Sequence, residues 1–353
     1  MVKLPKTLQA LLCVTPLCFL VSPVGAQVVS ADDGLEAAVM VELNSADAHV
    51  VPSLHQSVLR TEHGDYLVSH LFSDPAFVVY GPDGEVRSVY DQTGDGPGEL
   101  QTFPYLFAGP DGSVNLWDGG RLHRFDSSLN HQRTIRLRQR IWSTAALVPG
   151  GGVVVDDRFE LEGGASATVS LLDATGALER VVEQETDALA RTRIAAASSG
   201  GFWTLAPNGT TISRYASTGD LDHAVEIDGG VVEPRTERVE GEGSEVPPRP
   251  RHEGLADQGD GTLLVVSWVA DAEWEPPDPT DDQGGLVLNE QDSNPVFDSV
   301  VERVDGETGE VLGSIRIPYA LQPVQGSPEL FHSRHPAPLG HVITRIWRIT
   351  STG

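Results

Sequence analysis

Short apolar runs broken by Gly, Asp, Asn and Pro recur along this chain, and no long stretch sustains a helical period. Residues 88–137 show the repeating unit most fully. Gly94, Gly96 and Gly98 with Pro97 fall within five residues, so neither helix nor strand passes through them. Beyond that point the pattern predicts strands over 103–108, 113–117, 121–125 and 133–137, with a Pro-Asp-Gly turn at 110–112. Residues 183–197 come nearest to a helical pattern, but they lie between strand-like runs and amount to a turn of helix at most.

The same unit recurs along the chain. A first copy has strands at 56–60, 66–71, 76–80 and 86–90, and 103–137 is the second. A third covers 142–185, a fourth 193–227 and a fifth 252–317. Their first turns fall near Gly64, Gly112, Gly151, Gly200 and Gly261, at intervals of 48, 39, 49 and 61 residues. These bracket the roughly 40–50 residues of known four-stranded propeller blades. After residue 317 about half a unit remains, with strand signals at 330–333, 341–345 and 347–349. A ring with a half-filled blade would leave open edges. The strand-like run Ala37–Glu42, with no hairpin partner beside it, therefore supplies the missing strand. The expected fold is all-β: a six-bladed propeller of four-stranded antiparallel blades, closed by an N-terminal strand. Two polar, Pro-rich segments, at about 231–251 and 273–295, read as loop insertions before and within the fifth blade.

The first 26 residues stand outside this scheme. Lys3 and Lys6 precede an apolar run at 8–21, and Val24-Gly25-Ala26 ends in small residues, so the segment reads as a secretory signal cleaved near Ala26. The run falls short of the about 20 residues of a comfortable membrane span. Both cysteines, Cys13 and Cys18, lie in this segment, and neither follows the small residues of a lipoprotein box. The expected product, residues 27–353, is soluble, secreted or periplasmic, and monomeric. It has no cysteine and no lysine, which excludes disulfides, thiolate nucleophiles and lysine Schiff bases. The whole chain sets 51 carboxylates against 24 basic residues, a formal net charge of −27. That surface repels nucleic acid and anionic lipid and favours cations or basic partners.

The run Gly94-Asp95-Gly96-Pro97-Gly98-Glu99-Leu100, followed by Phe103-Pro104, resembles the G-x-GPGE-[FL] loop of bacterial six-bladed β-propellers of the NHL-like kind. The likeness continues through Gly109-Pro110-Asp111-Gly112-Ser113-Val114, Asp118 and residues 121–126. It returns at 261–266, Trp268, Trp274, Val304-Asp305 and Thr308-Gly309. It covers most of residues 50–345, weakly per blade and more specifically at the loop. The resemblance implies the fold and export. Those proteins mostly have no assigned activity, so it supplies no function.

The glycines of that loop could cradle a phosphate only if a helix followed, and a strand pattern follows instead. Gly94, Gly96, Pro97, Gly98 and Glu99 therefore read as a structural inter-blade turn, with Glu99 anchoring backbone amides. Asp156-Asp157 and Asp278, Asp281 and Asp282 offer oxygen to calcium but match no known loop spacing, so calcium is possible and no cofactor is required. His332 and His335 have a zinc-like spacing without a helix to present both on one face. No G-x-S-x-G elbow is present, and Asn208-Gly209-Thr210 fits a glycosylation acceptor. Strand starts should line the mouth of the central channel, which nominates His55, Trp142, Arg193, His252, Glu253 and Glu329 as ligand-binding residues. Two functions follow. One is a binding or scaffolding module for a protein, peptide or glycan. The other is a metal-dependent hydrolase or lyase of the lactonase kind on the channel axis. Phe103 and Trp142, apolar where ligands would stand, favour the non-enzymatic reading.

Overall fold

The computed structural model describes residues 28–30, 34–48, 56–70, 77–101, 104–137, 141–161, 164–185, 192–233, 246–276, 296–337 and 341–352. Five four-stranded antiparallel sheets follow one another in chain order. The N-terminal strands β1 (Val28–Ser30) and β2 (Leu35–Asn44) belong to the sixth sheet, described last. Blade one holds β3 (Gln56–Arg60), β4 (Tyr66–His70), β5 (Phe77–Tyr80) and β6 (Val86–Tyr90). Blade two holds β7 (Tyr105–Ala108), β8 (Val114–Asp118), β9 (Arg121–Phe125) and β10 (His131–Arg136). Blade three holds β11 (Ile141–Leu147), β12 (Val153–Leu161), β13 (Gly164–Leu172) and β14 (Leu178–Glu185). The helical signal at 183–197 thus gives way to strand at both ends, since β15 (Arg193–Ala196) opens blade four with β16 (Phe202–Leu205), β17 (Thr211–Tyr215) and β18 (Leu221–Glu226). Blade five holds β19 (Arg251–Asp257), β20 (Thr262–Ala270), β21 (Phe297–Asp305) and β22 (Val311–Ile317).

The sixth sheet draws on both ends of the chain. Its order is β1-β2-β25-β24-β23, where β23 is Gln322–Pro323, β24 is Leu330–Pro336 and β25 is Val342–Ser351. The strand signals at 341–345 and 347–349 are therefore one continuous strand. β2 does close the ring by pairing with β25 from Leu35↔Ser351 to Asn44↔Ile343. It also has the hairpin partner that its sequence surroundings did not reveal, because β1 lies along it at Val28↔Ala38. On the inner side, Gln325 closes the seam to blade one: its N–H donates to Val58 O and its carbonyl accepts from Arg60 N, both at 2.8 Å.

The core is divided among the gaps between blades. Inner strands are buried on both faces, and successive residues alternate between two neighbours. In β20, Leu263 and Val265 pack toward blade four, while Leu264, Val266 and Trp268 pack toward blade six. That two-sided burial is why these strands read as continuous apolar runs. The outermost strands face solvent, and β10 and β18 carry mostly exposed side chains.

The antiparallel order gives the disc two unlike ends. One, the turn face, carries tight five-residue turns such as Gly109–Ser113, closed by Gly109 N to Ser113 O (2.7 Å) and Gly112 N to Gly109 O (3.1 Å). The fourth residue of these turns is in the left-handed region, where glycine is favoured. Among the described residues, Leu129, at φ 62°, is the non-glycine residue that occupies it. The other end, the connection face, receives the links between blades. The GPGE loop and both insertions, which join β18 to β19 and β20 to β21, attach there.

Candidate binding face

Arg193 and Glu253 meet on the connection face, where the innermost strands β15 and β19 begin side by side. A register shift between His252 and Gly254 marks a bulge at Glu253. Such a bulge re-aims a side chain, and the Glu253 carboxylate here bridges two guanidinium groups. Arg193 Nη2 lies 2.5 Å away and Arg251 Nε 2.6 Å away. Arg193 Nε also donates to His252 O at 3.1 Å. The Arg251 guanidinium in turn lies 5.2 Å over the Trp268 ring and 5.1 Å over that of Phe297. Glu253 and Arg193 are nearly buried and Arg251 is partly open, so the rim presents one cationic edge of a neutralised pair.

His252 is committed to the fold. Its Nε2–H donates to Gly209 O at 3.0 Å, which leaves Nδ1 to accept the Ser267 hydroxyl at 2.9 Å. Burial pushes this imidazole down to about 4, so it is neutral at physiological pH. With both nitrogens used and 1% exposure, it ties β19 to the loop after β16 and turns away from any ligand. Glu329 stands apart as well. It precedes β24, the second strand of its blade, and lies on the turn face, 4.0 Å from Arg60 at the end of β3. The innermost strand of blade six is the two-residue β23, so counting strands from the sequence placed Glu329 at the wrong mouth. Trp142 belongs to β11, the innermost strand of blade three, with its side chain outside the described set; His55 lies outside the described residues altogether.

The GPGE loop is held by its own bonds. Glu99 Oε2 accepts the Gly96 N–H at 2.8 Å, the Tyr90 hydroxyl donates to Gly98 O at 2.6 Å, and Gly94 N donates to Leu100 O at 3.0 Å. Gly98 has φ +79°, and a Cβ there would stand 3.2 Å from the His131 side chain. Buried Asp118 secures the loop to blade two by accepting from Gln101 N and from Arg121 Nη2, each at 2.6 Å. Arg121 Nη2 also donates to Gly94 O at 3.2 Å. No phosphate-binding helix follows, and Leu100 is buried between the first two blades.

Metal readings find little support among the described residues, where no three of His, Cys, Asp and Glu gather in a metal-binding arrangement. Asp278, Asp281 and Asp282 lie outside the described residues and the Asp157 side chain outside the described set, while Asp156 is buried and already has a partner. His332 and His335 fall on opposite faces of β24, as an odd spacing along a strand requires. His335 Nε2 takes the Ser333 hydroxyl at 2.8 Å. Glu302 escaped the sequence reading. It is one of five polar positions in β21, and only the packing of blade four against blade five shows that it is enclosed.

Fold and rim together define a six-bladed β-propeller whose long connections leave the blades on one face. Neither a known protein-family model nor any curated protein matches the sequence. Solved structures do match in shape. A member of the DUF4221 family from Bacteroides vulgatus superposes with a TM-score of 0.57 at 9% identity, covering 91% of this chain and 100% of that one. A candidate exported protein from Bacteroides fragilis gives 0.56 at 11%, over 92% and 97% of the two chains. A luciferin-regenerating enzyme gives 0.51 at 12%, over 88% and 95%. At such identities the likeness concerns the fold alone. No helix among the described residues is long and apolar enough to cross a membrane.

Proposed function

We propose that this chain is an exported monomeric binding module that takes a protein, peptide or glycan partner on its connection face, at the rim of blades four and five. The observation that carries this reading is the asymmetry of the disc. The GPGE loop, the points where both insertions leave the blades and the Arg193–Glu253–Arg251 group share one face, while the other carries short, self-bonded turns. Binding residues concentrate on long connections held by a rigid scaffold. The resemblance to NHL-like propellers at residues 94–100 supports the same fold-level role, and residues 1–26 read as the export signal.

Because residues 27–353 contain no lysine, amine coupling attaches that chain only through its N-terminus. Immobilised in this way, it is challenged with the exported fraction of the source cells and with glycan and peptide arrays. Arg251→Glu and Val246→Arg, both on the connection side, should lower retention of the selected partner at least tenfold. Thr218→Asp, on the turn face, should leave it unchanged. Equal retention by all three variants, or loss only with Thr218→Asp, overturns the reading.

A further inference from the structure

We propose that a cleft on the turn face, between blades two and three, is a second and separate site, for a small organic carboxylate with a short apolar body. The cleft has a volume of about 360 Å³ and lies on the opposite face from the Arg193–Glu253 rim. Arg124 of β9 and Arg133 of β10 line it and are direct register partners across the two strands. Like charges placed opposite each other on a sheet destabilise it. With 51 carboxylates in the chain, an acid opposite Arg124 would have been the ordinary solution.

The local balance leaves one cation over. Asp111, the only acid among the lining residues, pairs with Arg124, and its carboxylate is held by Ser113 well below the usual range, so it stays ionised. The Arg133 guanidinium makes no ion pair or hydrogen bond with any described residue, and Arg124 Nε is buried without a partner among them. The Arg133 guanidinium reaches across to blade three, where Nη2 would stand 4.0 Å from a Cβ placed on Gly151. Guanidinium groups take planar carboxylates through paired, charge-assisted bonds. The remaining wall is apolar, with Pro110 on one side and Leu147, Val148 and Ala174 on the other. Such a wall favours an acid with a hydrocarbon body over a bare inorganic anion, and the volume limits that body to a few carbons or one ring.

The test is a calorimetric titration of residues 27–353, at low salt and constant pH, with phenylacetate, phenylacetamide and inorganic phosphate. Phenylacetate should bind in the millimolar range or tighter, and each of the other two at least tenfold more weakly. Arg133→Gln, at an exposed position, should keep the wild-type melting temperature and lose at least tenfold in phenylacetate affinity. Ala174→Trp, which fills the cleft without changing its charge, should lose binding to the same extent. Three results each overturn the proposal: no phenylacetate binding by the wild type, phosphate bound as tightly as phenylacetate, or affinity unaffected by either variant. The outcome bears only on this cleft, so it leaves the connection-face reading where it stands.

Discussion

Deleting residues 27–44 is expected to lower the melting temperature by more than 15 °C or to abolish cooperative unfolding. β2 is the strand that makes blade six a blade. It pairs with β25 along its length, and Leu35, Ala37 and Leu43 are buried against blades five and one. Removing it exposes those two interfaces and leaves β25 as a long unpaired edge. Each buried leucine contributes about 2 kcal/mol from area alone. Together with the lost strand pairing, this consumes much of the roughly 5–15 kcal/mol that holds a domain folded. Circular dichroism melts of the two lengths decide the matter. An unchanged melt would mean that blade six is complete without its N-terminal strand.

Replacing Glu302 by Gln is expected to stabilise the protein at pH 8 and to do little at pH 4. Glu302 is 1% exposed; one carboxylate oxygen accepts Val231 N–H at 3.2 Å, and the other is buried with no partner among the described residues. Burial pushes this group up from its ordinary 4.5 to about 7. A folded-state value above the unfolded one means that its contribution is fully present below pH 4.5 and is lost as pH rises through about 7. Glutamine keeps the acceptor for Val231 and carries no charge. The expected gain at pH 8 is therefore about 3 kcal/mol, from roughly 1.4 kcal/mol per unit of displacement.

The buried histidines act in the opposite sense. His252, His332 and His335 are lowered by burial to about 4, 3 and 4. Their contributions are present above the unfolded value near 6.5 and are lost as pH falls through those folded values. Wild-type stability should thus peak near pH 6.5, whereas Glu302→Gln should rise from low pH to a plateau. Urea unfolding at pH 4, 6.5 and 8 separates the two curves. A variant effect of equal size at every pH would show that Glu302 titrates alike in the folded and unfolded chain.

The sequence carried the blades well because each strand is marked at both ends. The glycine turns at 64, 84, 112, 151, 200 and 261 fix the pairing, and two-sided burial makes runs such as β20 continuously apolar. Closure by β2 was legible too, since an odd half-blade needs a partner. What escaped depends on contacts between distant residues. β1 is three residues long and carries no pattern of its own. The two-residue β23 hid the true order of blade six and with it the position of Glu329. The side of β19 on which His252 falls is decided by a bulge that no local signal announces, and by a loop carbonyl at Gly209. The pairing of Arg124 with Arg133 follows from the register of one hairpin, a detail below the resolution of strand prediction.

The proposed site on the connection face binds its partner directly, without a metal on the channel axis. The most direct measurement is the melting curve of residues 27–353 in excess EDTA and again in millimolar calcium. A ligand that binds only the folded state raises its melting temperature by mass action. Superimposable curves are predicted, in keeping with a rim whose one acid, Glu253, is already spent on two arginines. An upward shift of several degrees in calcium would contradict the claim and place a metal-dependent hydrolase or lyase first.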